Sequence, residues 1–269
     1  MAAVSGSASP VLSQRRGPLA VLTLNRPHAA NALNGAVLGD LHDAVAEISA
    51  DASVRVVLVT GAGGHFSGGA DLRENRARHR AARERFSGAI DMSRIPQPVI
   101  AVINGTAAGG GCELALSCDF RFMSEDARIG LPEIRFGALP LGGGTARLPR
   151  IVGLSWAKRM IMTGDLIDAR TALRIGLADE VMPGAGLMTA AERFALGLSE
   201  RAGYALRAAK ALVNSALETD LSTALANERQ TVKDMATRDE RIAERRRAAA
   251  EQSTYARIFS QRDSMGANE

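Results

Sequence analysis

The chain has 269 residues, 46% of them hydrophobic, so it can bury a full core as one large domain or two modest ones. Its 33 basic and 29 acidic residues nearly cancel, and the net charge of +4 does not indicate a basic face for nucleic acid. No apolar run approaches the roughly 18 residues of a membrane-spanning helix, so we expect no membrane partner.

Strand and helix patterns alternate over the first part of the chain. A strand pattern begins near Val11, and residues 35–49 carry apolar side chains at helical spacing. The other predicted strands are apolar, mostly β-branched runs that end in turn residues. They lie at 19–25, 54–61 and 98–105, with shorter ones within 118–130 and 176–182. This alternation predicts an α/β fold of layered sheets and helices.

The pattern changes near residue 186, where four helical patterns follow without a strand signal. This helical tail lacks a core of its own, so we expect residues 186–269 to pack on the core, residues 11–185, or on neighbouring subunits. Residues 1–10 are expected to be disordered. The acid-free start of the chain is also typical of a transit peptide, but a strand that begins near Val11 leaves too short a leader.

The cysteines and histidines indicate neither a disulfide nor a metal site. Cys112 and Cys118 are six residues apart on one predicted helix and point to different faces, so we expect them not to pair. Reduced thiols favour a cytoplasmic location. The four histidines show no ligand spacing with cysteines or carboxylates, so we expect no metal ion.

Two glycine-rich segments, 61–72 and 105–111, each follow a predicted strand and are each predicted to open a helix. Free N–H groups at a helix N-terminus can hold an oxygen that becomes anionic during a reaction. Two such segments can direct one N–H each at the same oxygen, which predicts an oxyanion hole. Phe66 stands where a dinucleotide fingerprint needs its third glycine, and no lysine completes a P-loop. The alternative is that the glycines serve only tight turns. That alternative explains one such segment easily and two less well.

Two glutamates accompany these segments. Glu113 falls in the first turn of its helix, where the macrodipole stabilises an anion, and alone it would be read as a simple dipole partner. Glu133 lies among apolar residues in an irregular segment, where an acid is either salt-bridged, with Arg135 as the obvious partner, or tuned for proton transfer. Two carboxylates and two N–H donors suit proton transfer next to a thioester or similar carbonyl, through an enolate.

Six stretches in order make the chain resemble the enoyl-CoA hydratase/isomerase (crotonase) superfamily, with a pattern nearest to enoyl-CoA hydratases. They fall within residues 19–217 in the family's order and spacing. Each alone is a weak signal, but the six together are a strong one. They read LNRPHAANAL, VRVVLVTGAGGHFSGGADL, PVIAVINGTAAGGGCELALSCDFRF, ARIGLPEIRFGALPLGGGTARLPRIVG, MTGDLIDARTALRIGLADEV and AKALVN. The resemblance implies a spiral of ββα units and C-terminal helices that form a homotrimer or a hexamer.

The resemblance also implies an enzyme, a lyase that adds water across the double bond of a trans-2-enoyl-CoA to give a 3-hydroxyacyl-CoA. Glu113 would mainly activate the water, and Glu133 would mainly donate a proton to C2. The N–H groups of Ala70 and Gly110 would form the oxyanion hole. Coenzyme A enters as part of the substrate, and no other cofactor is implied.

Further positions follow from the resemblance. Leu141 stands where many hydratases carry glycine, close to the expected water and acyl group, so it can reshape the acyl pocket. The residues implied to line the CoA arm are His28, Ala29, Ala30, Ala32, Gly68, Asp71 and Leu72. Isomerases of the superfamily need only one acid, so glutamate at both positions favours hydration. An isomerase and a non-catalytic relative that binds CoA or RNA are the alternatives.

The arginine-rich segment 73–85 follows the first glycine-rich segment. One interpretation is that it attracts the phosphates of CoA or RNA, and the one we favour is a solvated helix. Aromatic residues for base stacking are scarce, with only Phe86 nearby. We therefore expect no nucleic-acid partner.

Overall fold

A computed structural model describes residues 9–74, 76–86 and 88–236. The chain divides into two compact units, the first ending at Leu198 and the second beginning at Ser199. The prediction of a disordered N-terminus falls on residues 1–8, which lie outside the described ranges, and on Ser9 and Pro10. The Ser9 hydroxyl donates a hydrogen bond of 2.7 Å to the carbonyl oxygen of Val11.

The strands and helices of the described residues are as follows. The strands are β1 (Val11–Arg16), β2 (Leu19–Leu24), β3 (Val56–Gly61), β4 (His65–Ser67), β5 (Val99–Ile103), β6 (Thr106–Ala108), β7 (Phe120–Ser124), β8 (Arg128–Gly130), β9 (Ile167–Asp168) and β10 (Glu180–Met182). The α-helices are α1 (Gly35–Ala50), α2 (Arg76–Arg85), α3 (Gly110–Ser117), α4 (Gly144–Thr163), α5 (Ala169–Arg174), α6 (Gly184–Ser199), α7 (Gly203–Ala216) and α8 (Leu221–Ala236). Short 3-10 helices span Pro27–Ala29, Met92–Arg94 and Pro132–Phe136.

The strands form two sheets. The six-stranded sheet has the order β1-β2-β3-β5-β7-β10, and all neighbours are parallel except the antiparallel pair β1 and β2. The four-stranded sheet has the order β4-β6-β8-β9, with β9 antiparallel to β8. The successive pairs β3–β4, β5–β6 and β7–β8 each place one strand in each sheet. Helices α2 and α3 follow the first two pairs, which confirms the predicted spiral of ββα units.

The inner strands β2, β3 and β5 of the larger sheet are buried on both faces, which explains their apolar sequences, whereas the edge strand β1 is largely exposed. Successive side chains of β3 point to opposite faces. Val57 and Val59 join the cluster that also holds Leu41 of α1, whereas Val56 and Leu58 join a second cluster. Helix α6 contributes three buried side chains to that second cluster. The sheet therefore lies between two apolar clusters, one that includes α1 and one that includes α6.

Most of the predicted elements are confirmed. The runs at 19–25, 54–61 and 98–105 form β2, β3 and β5, and the shorter predictions contain β7, β8 and β10. The predicted helix at 35–49 is α1, whose first turn is capped by the Asn34 side chain, which accepts the N–H of Val37 at 3.0 Å. Both cysteines are free, as expected, and both are also buried.

The prediction that segment 61–72 opens a helix directly is wrong. The segment forms β4, then an isolated parallel bridge between Leu33 and Ala70, and α2 begins only at Arg76. Pairing with Leu33 keeps the backbone extended past Ala70. The N–H of Ala70 therefore belongs to a bridged loop, whereas that of Gly110 begins a helix.

The predicted helical tail contains α6, α7 and α8, and α6 begins two residues early, at Gly184. The fourth predicted helix lies outside the described residues. That this region packs on the core or on neighbouring subunits stays a prediction. None of the helices in the described ranges is long and apolar enough to cross a membrane.

Candidate active site

The two glycine-rich segments meet at Gly69 and Gly110. Gly69 has a φ of +89°, and a Cβ there would lie 2.5 Å from the carbonyl oxygen of Ala108 and 3.0 Å from the nitrogen of Gly110. Only glycine fits this backbone contact without strain. A Cβ placed on Gly110 would lie 3.8 Å from the nitrogen of Ala70. The predicted donors Ala70 and Gly110 are therefore neighbours in space.

Both of these backbone N–H groups are available to a ligand. Gly110 is the first residue of α3, where the helix provides no acceptor. Around Ala70 the bridge pairs the backbone groups of the two neighbouring residues. The N–H of Leu33 donates to the carbonyl oxygen of Gly69, and the N–H of Asp71 donates to the carbonyl oxygen of Leu33. Within the described part of the chain, neither the Ala70 N–H nor the Gly110 N–H bonds to a protein acceptor.

Glu113 is held rigidly at the base of the site. It lies in the first turn of α3 and is 2% exposed. Its Oε1 accepts the backbone N–H of Gly142 at 2.5 Å and that of Gly144, the first residue of α4, at 2.9 Å. No donor in the described ranges bonds to Oε2, so that oxygen can accept a proton from a ligand. The N-termini of α3 and α4 thus together fix the orientation of the Glu113 carboxylate.

Glu133 has a different environment. It lies in the 3-10 helix Pro132–Phe136, and its Oε2 is buried with no hydrogen-bond partner among the described residues. Burial raises the pKa of Glu133, and the negative charge of Glu113 raises it further, while its own backbone N–H and Arg83 act in the opposite direction. The salt-bridge interpretation is wrong, because Arg135 pairs with Asp165.

Both glutamates and both N–H groups line one pocket of about 420 Å³. Its walls are largely apolar and include Leu38, Phe86 and Ile90. Gly68, Leu72 and Leu141 of the sequence prediction also line it. Leu141 and Leu72 are 76% and 79% exposed, so a bound chain can cover them. The roles of these residues stay predictions.

The other residues predicted for the CoA arm are not part of the pocket wall. They are His28, Ala29, Ala30, Ala32 and Asp71. The N–H of Gly68 donates to the carbonyl oxygen of Ala30 at 2.8 Å, which joins their loop to the site. Arg26 donates to the carboxylate of Asp71 at 2.8 Å and to the carbonyl oxygen of Ala32 at 2.7 Å. The Asp71 side chain therefore braces the loop.

Sequence reasoning missed the structural role of Asn31, whose side chain holds this loop in an unusual conformation. Ala30 and Asn31 have φ angles of +49° and +53°, in the left-handed region. The buried Asn31 amide donates to the carbonyl oxygens of Ala62 and His65, and its oxygen accepts the N–H of Arg26. These three hydrogen bonds offset the backbone strain.

Sequence reasoning also missed the donors to Glu113 and two pocket residues. The glycine run 142–144, directly before a long helical pattern, is the signal that could have revealed those donors.

The favoured interpretation of segment 73–85 as a solvated helix holds for one face of α2, where Arg80 and Arg85 are exposed. His79 and Arg83 instead line the pocket.

Within the described ranges, no group of three or more His, Cys, Asp or Glu residues could hold a metal ion. The site combines two free N–H groups with two carboxylates in unlike environments. Such a set is suited to polarising a carbonyl and moving protons beside it.

The comparisons with known proteins identify the family. The family model described as enoyl-CoA hydratase/isomerase matches residues 14–254. The short-chain-enoyl-CoA hydratase of Clostridium acetobutylicum is 40% identical over 225 residues, which cover 81% of this chain and 86% of that protein. The crotonyl-CoA hydratase of Syntrophomonas wolfei is 38% identical over 227 residues, covering 81% and 86%.

Among solved structures, the enoyl-CoA hydratase of Bacillus anthracis matches with a TM-score of 0.85 and 36% identity, covering 90% of this chain and 96% of that one. The chain belongs to the enoyl-CoA hydratase/isomerase family. The resemblance inferred from the sequence is thus confirmed, and family membership implies an acyl-CoA thioester substrate.

Proposed function

We propose that the protein is an enoyl-CoA hydratase, which adds water across the double bond of a trans-2-enoyl-CoA to give a 3-hydroxyacyl-CoA. The observation that carries this proposal is the pair Glu113 and Glu133, which line one pocket beside the free N–H groups of Ala70 and Gly110. An isomerase needs one acid, whereas two acids in unlike environments suit the separate transfers that hydration requires.

The oxyanion hole is the first part of the mechanism. The thioester oxygen accepts the N–H groups of Ala70 and Gly110. This polarises the conjugated system and makes C3 electrophilic. Negative charge then develops on that oxygen as the enolate forms, and the two donors stabilise it without reorganising.

The two glutamates divide the proton transfers. Oε2 of Glu113 takes a proton from the water whose oxygen adds to C3, while two backbone N–H groups hold Oε1. Glu133 delivers a proton to C2. Its raised pKa keeps a larger share of the carboxyl protonated, and proton exchange afterwards restores both groups.

The test is loss of the conjugated enoyl-thioester absorbance, measured with a series of trans-2-enoyl-CoA substrates that begins with crotonyl-CoA. Wild type is expected to consume at least one of them. Glu113→Gln is expected to be about 10²- to 10⁴-fold slower, the usual contribution of a general acid or base. Glu125→Gln, a change of an exposed glutamate, is expected to match wild type.

Two results would overturn the hydratase proposal. One is no loss of absorbance with any substrate of the series. The other is deuterium exchange from solvent and migration of the double bond without a 3-hydroxyacyl product, which would make the protein an isomerase.

We also propose that the protein acts in the cytoplasm as a homotrimer or a hexamer. Exposed apolar side chains in and between α7 and α8 support self-association. They include Val213, Leu217, Leu221 and Val232, which are 57% to 74% exposed. Light scattering is expected to give three or six times the chain mass of 28.3 kDa, and the mass of a single chain would contradict this.

A further inference from the structure

One face of helix α2 lines the pocket. His79 and Arg83 are four residues apart and lie on the same side of the helix, and Phe86 follows directly after its last residue. Each lines the same pocket as Glu113 and Glu133. The acyl pocket therefore has a basic wall as well as apolar ones.

Helix α2 is held in place by α1. A Cβ on Gly39 would lie 3.4 Å from the Phe86 ring, and the corresponding atom on Gly35 would lie 3.2 Å from the Cβ of Ala82. Glu74 accepts the N–H of Gly35 at 3.1 Å. These contacts fix the side of α2 that faces the pocket.

Among the residues that the structure describes, the half-buried Arg83 of this wall has no direct ion-pair partner. His79 Nδ1 lies 3.0 Å from a carboxylate oxygen of Glu74. Of the acids that line the pocket, Asp91 pairs with Arg147 at 2.8 Å. Throughout the described ranges no carboxylate lies within 4 Å of the Arg83 guanidinium. The positive charge of Arg83 is nevertheless close enough to Glu133 to act to lower the pKa of that acid.

A half-buried guanidinium without a partner costs desolvation free energy, and a ligand anion can offset that cost. The five N–H donors of arginine form a planar fork that binds a carboxylate through two parallel hydrogen bonds. Leu38, Phe86 and Ile90 line the same pocket and supply the apolar contact that a short methylene chain needs. The pocket thus combines a cation for an acyl-chain terminus with apolar walls for the chain.

We propose, building on the hydratase function above, that the preferred substrate is a trans-2-enoyl-CoA whose acyl chain ends in a carboxylate, and that Arg83 binds this carboxylate. Arg83 is then a specificity-determining residue. It does not take part in proton transfer.

The experiment compares kcat/KM for a six-carbon trans-2-enoyl-CoA that carries a terminal carboxylate with kcat/KM for its methyl ester. Wild type is expected to prefer the carboxylate by about 10- to 100-fold, the range for a hydrogen bond to a charged group. Arg83→Gln should bring the ratio close to one, mainly by raising KM for the carboxylate. Arg80→Gln, which removes an exposed arginine of the same helix, should keep the preference.

Calorimetric titration with saturated six-carbon acyl-CoA ligands, one ending in a carboxylate and one in a methyl ester, gives a readout that needs no turnover. Equal affinity of wild type for both would overturn the inference, as would an equal loss on both substrates in Arg83→Gln, and the hydratase proposal would survive either result. Preference for the carboxylate ligand without hydration of any substrate would instead overturn the hydratase proposal and leave the ligand class standing.

Discussion

Glu113 and Gly142 are joined by a hydrogen bond of 2.5 Å from the Gly142 N–H to Oε1, across 29 residues of sequence. Gly142 is held in turn by Arg147, which donates to its carbonyl oxygen at 3.0 Å and pairs with Asp91 at 2.8 Å. The orientation of the proposed base thus depends on a loop that a hydrogen bond fixes to Arg147 of α4, and an ion pair with Asp91 holds Arg147 in turn.

We expect Gly142→Ala to lower hydratase activity about 10- to 100-fold, because small misplacements of a catalytic group are costly. The added Cβ would lie 2.6 Å from Cδ1 of Ile90 and 2.7 Å from Oε2 of Glu113, so the carboxylate must move. The matched control is Gly64→Ala, where no atom of the described residues lies within 4 Å of the added Cβ. Activity of Gly142→Ala equal to that of Gly64→Ala would contradict this role of the loop.

We expect Glu133 to make the free energy of unfolding depend on pH. Its folded-state pKa is raised above the ordinary 4.5, so in the range above 4.5 the folded state binds more protons than the unfolded state. The free energy of unfolding therefore falls as pH rises from about 4.5 through the folded-state pKa. The reason is that ionisation charges a buried carboxylate whose Oε2 has no hydrogen-bond partner among the described residues.

Urea unfolding at a series of pH values checks this effect. Glu133→Gln lacks the titration, so its stability relative to wild type should increase with pH across the same range. Glu125→Gln, on the exposed surface, should follow wild type closely. Parallel curves for wild type and Glu133→Gln would show that burial does not raise this pKa.

Both thiols should be unreactive in the native protein. Cys112 and Cys118 are buried, and burial together with the negative charges of Glu113 and Glu133 raises the pKa of Cys112 well above 9.0. Titration with Ellman's reagent at pH 8 should detect two thiols in denaturant and no rapid thiol without it. One rapid equivalent in the native protein would contradict the packing around α3.

Gly197→Ala should increase the free energy of unfolding by about 0.5–1 kcal/mol, because alanine is the better helix former. Gly197 is exposed in α6, and no atom of the described residues lies within 4 Å of its added Cβ. Gly164→Ala is the contrasting variant. It should be destabilising, since Gly164 ends α4 with a φ of +67° and its Cβ would lie 2.9 Å from Cγ of Arg135.

Gly197→Ala and Gly164→Ala can be compared by urea unfolding under identical conditions. A loss of stability in Gly197→Ala would mean that the surface of α6 is covered in the assembled protein. A gain in Gly164→Ala would contradict the left-handed end of α4.

The elements that the sequence predicted well are those whose signals are local. Strands β2, β3 and β5 are predicted by their own apolar runs, and α1 is predicted by its own helical spacing of apolar residues. Neither signal depends on the rest of the chain. Strands β4 and β6 have three residues each and lie at glycine-rich segments, so their local signal is too weak. The bridge between Leu33 and Ala70 pairs residues that are distant in sequence, and α2 begins only after it, at Arg76.

The sequence by itself determined the α/β alternation, the family, and which two glutamates and two glycine-rich segments carry the candidate chemistry. The tertiary structure alone decided that Glu113 bonds to Gly142 and Gly144, that Arg135 pairs with Asp165 and not with Glu133, and that Arg83 faces the pocket. Periodicity and turn residues act between near neighbours along the chain. Hydrogen-bond partners, burial and the pKa shifts that follow depend on segments that only folding brings together.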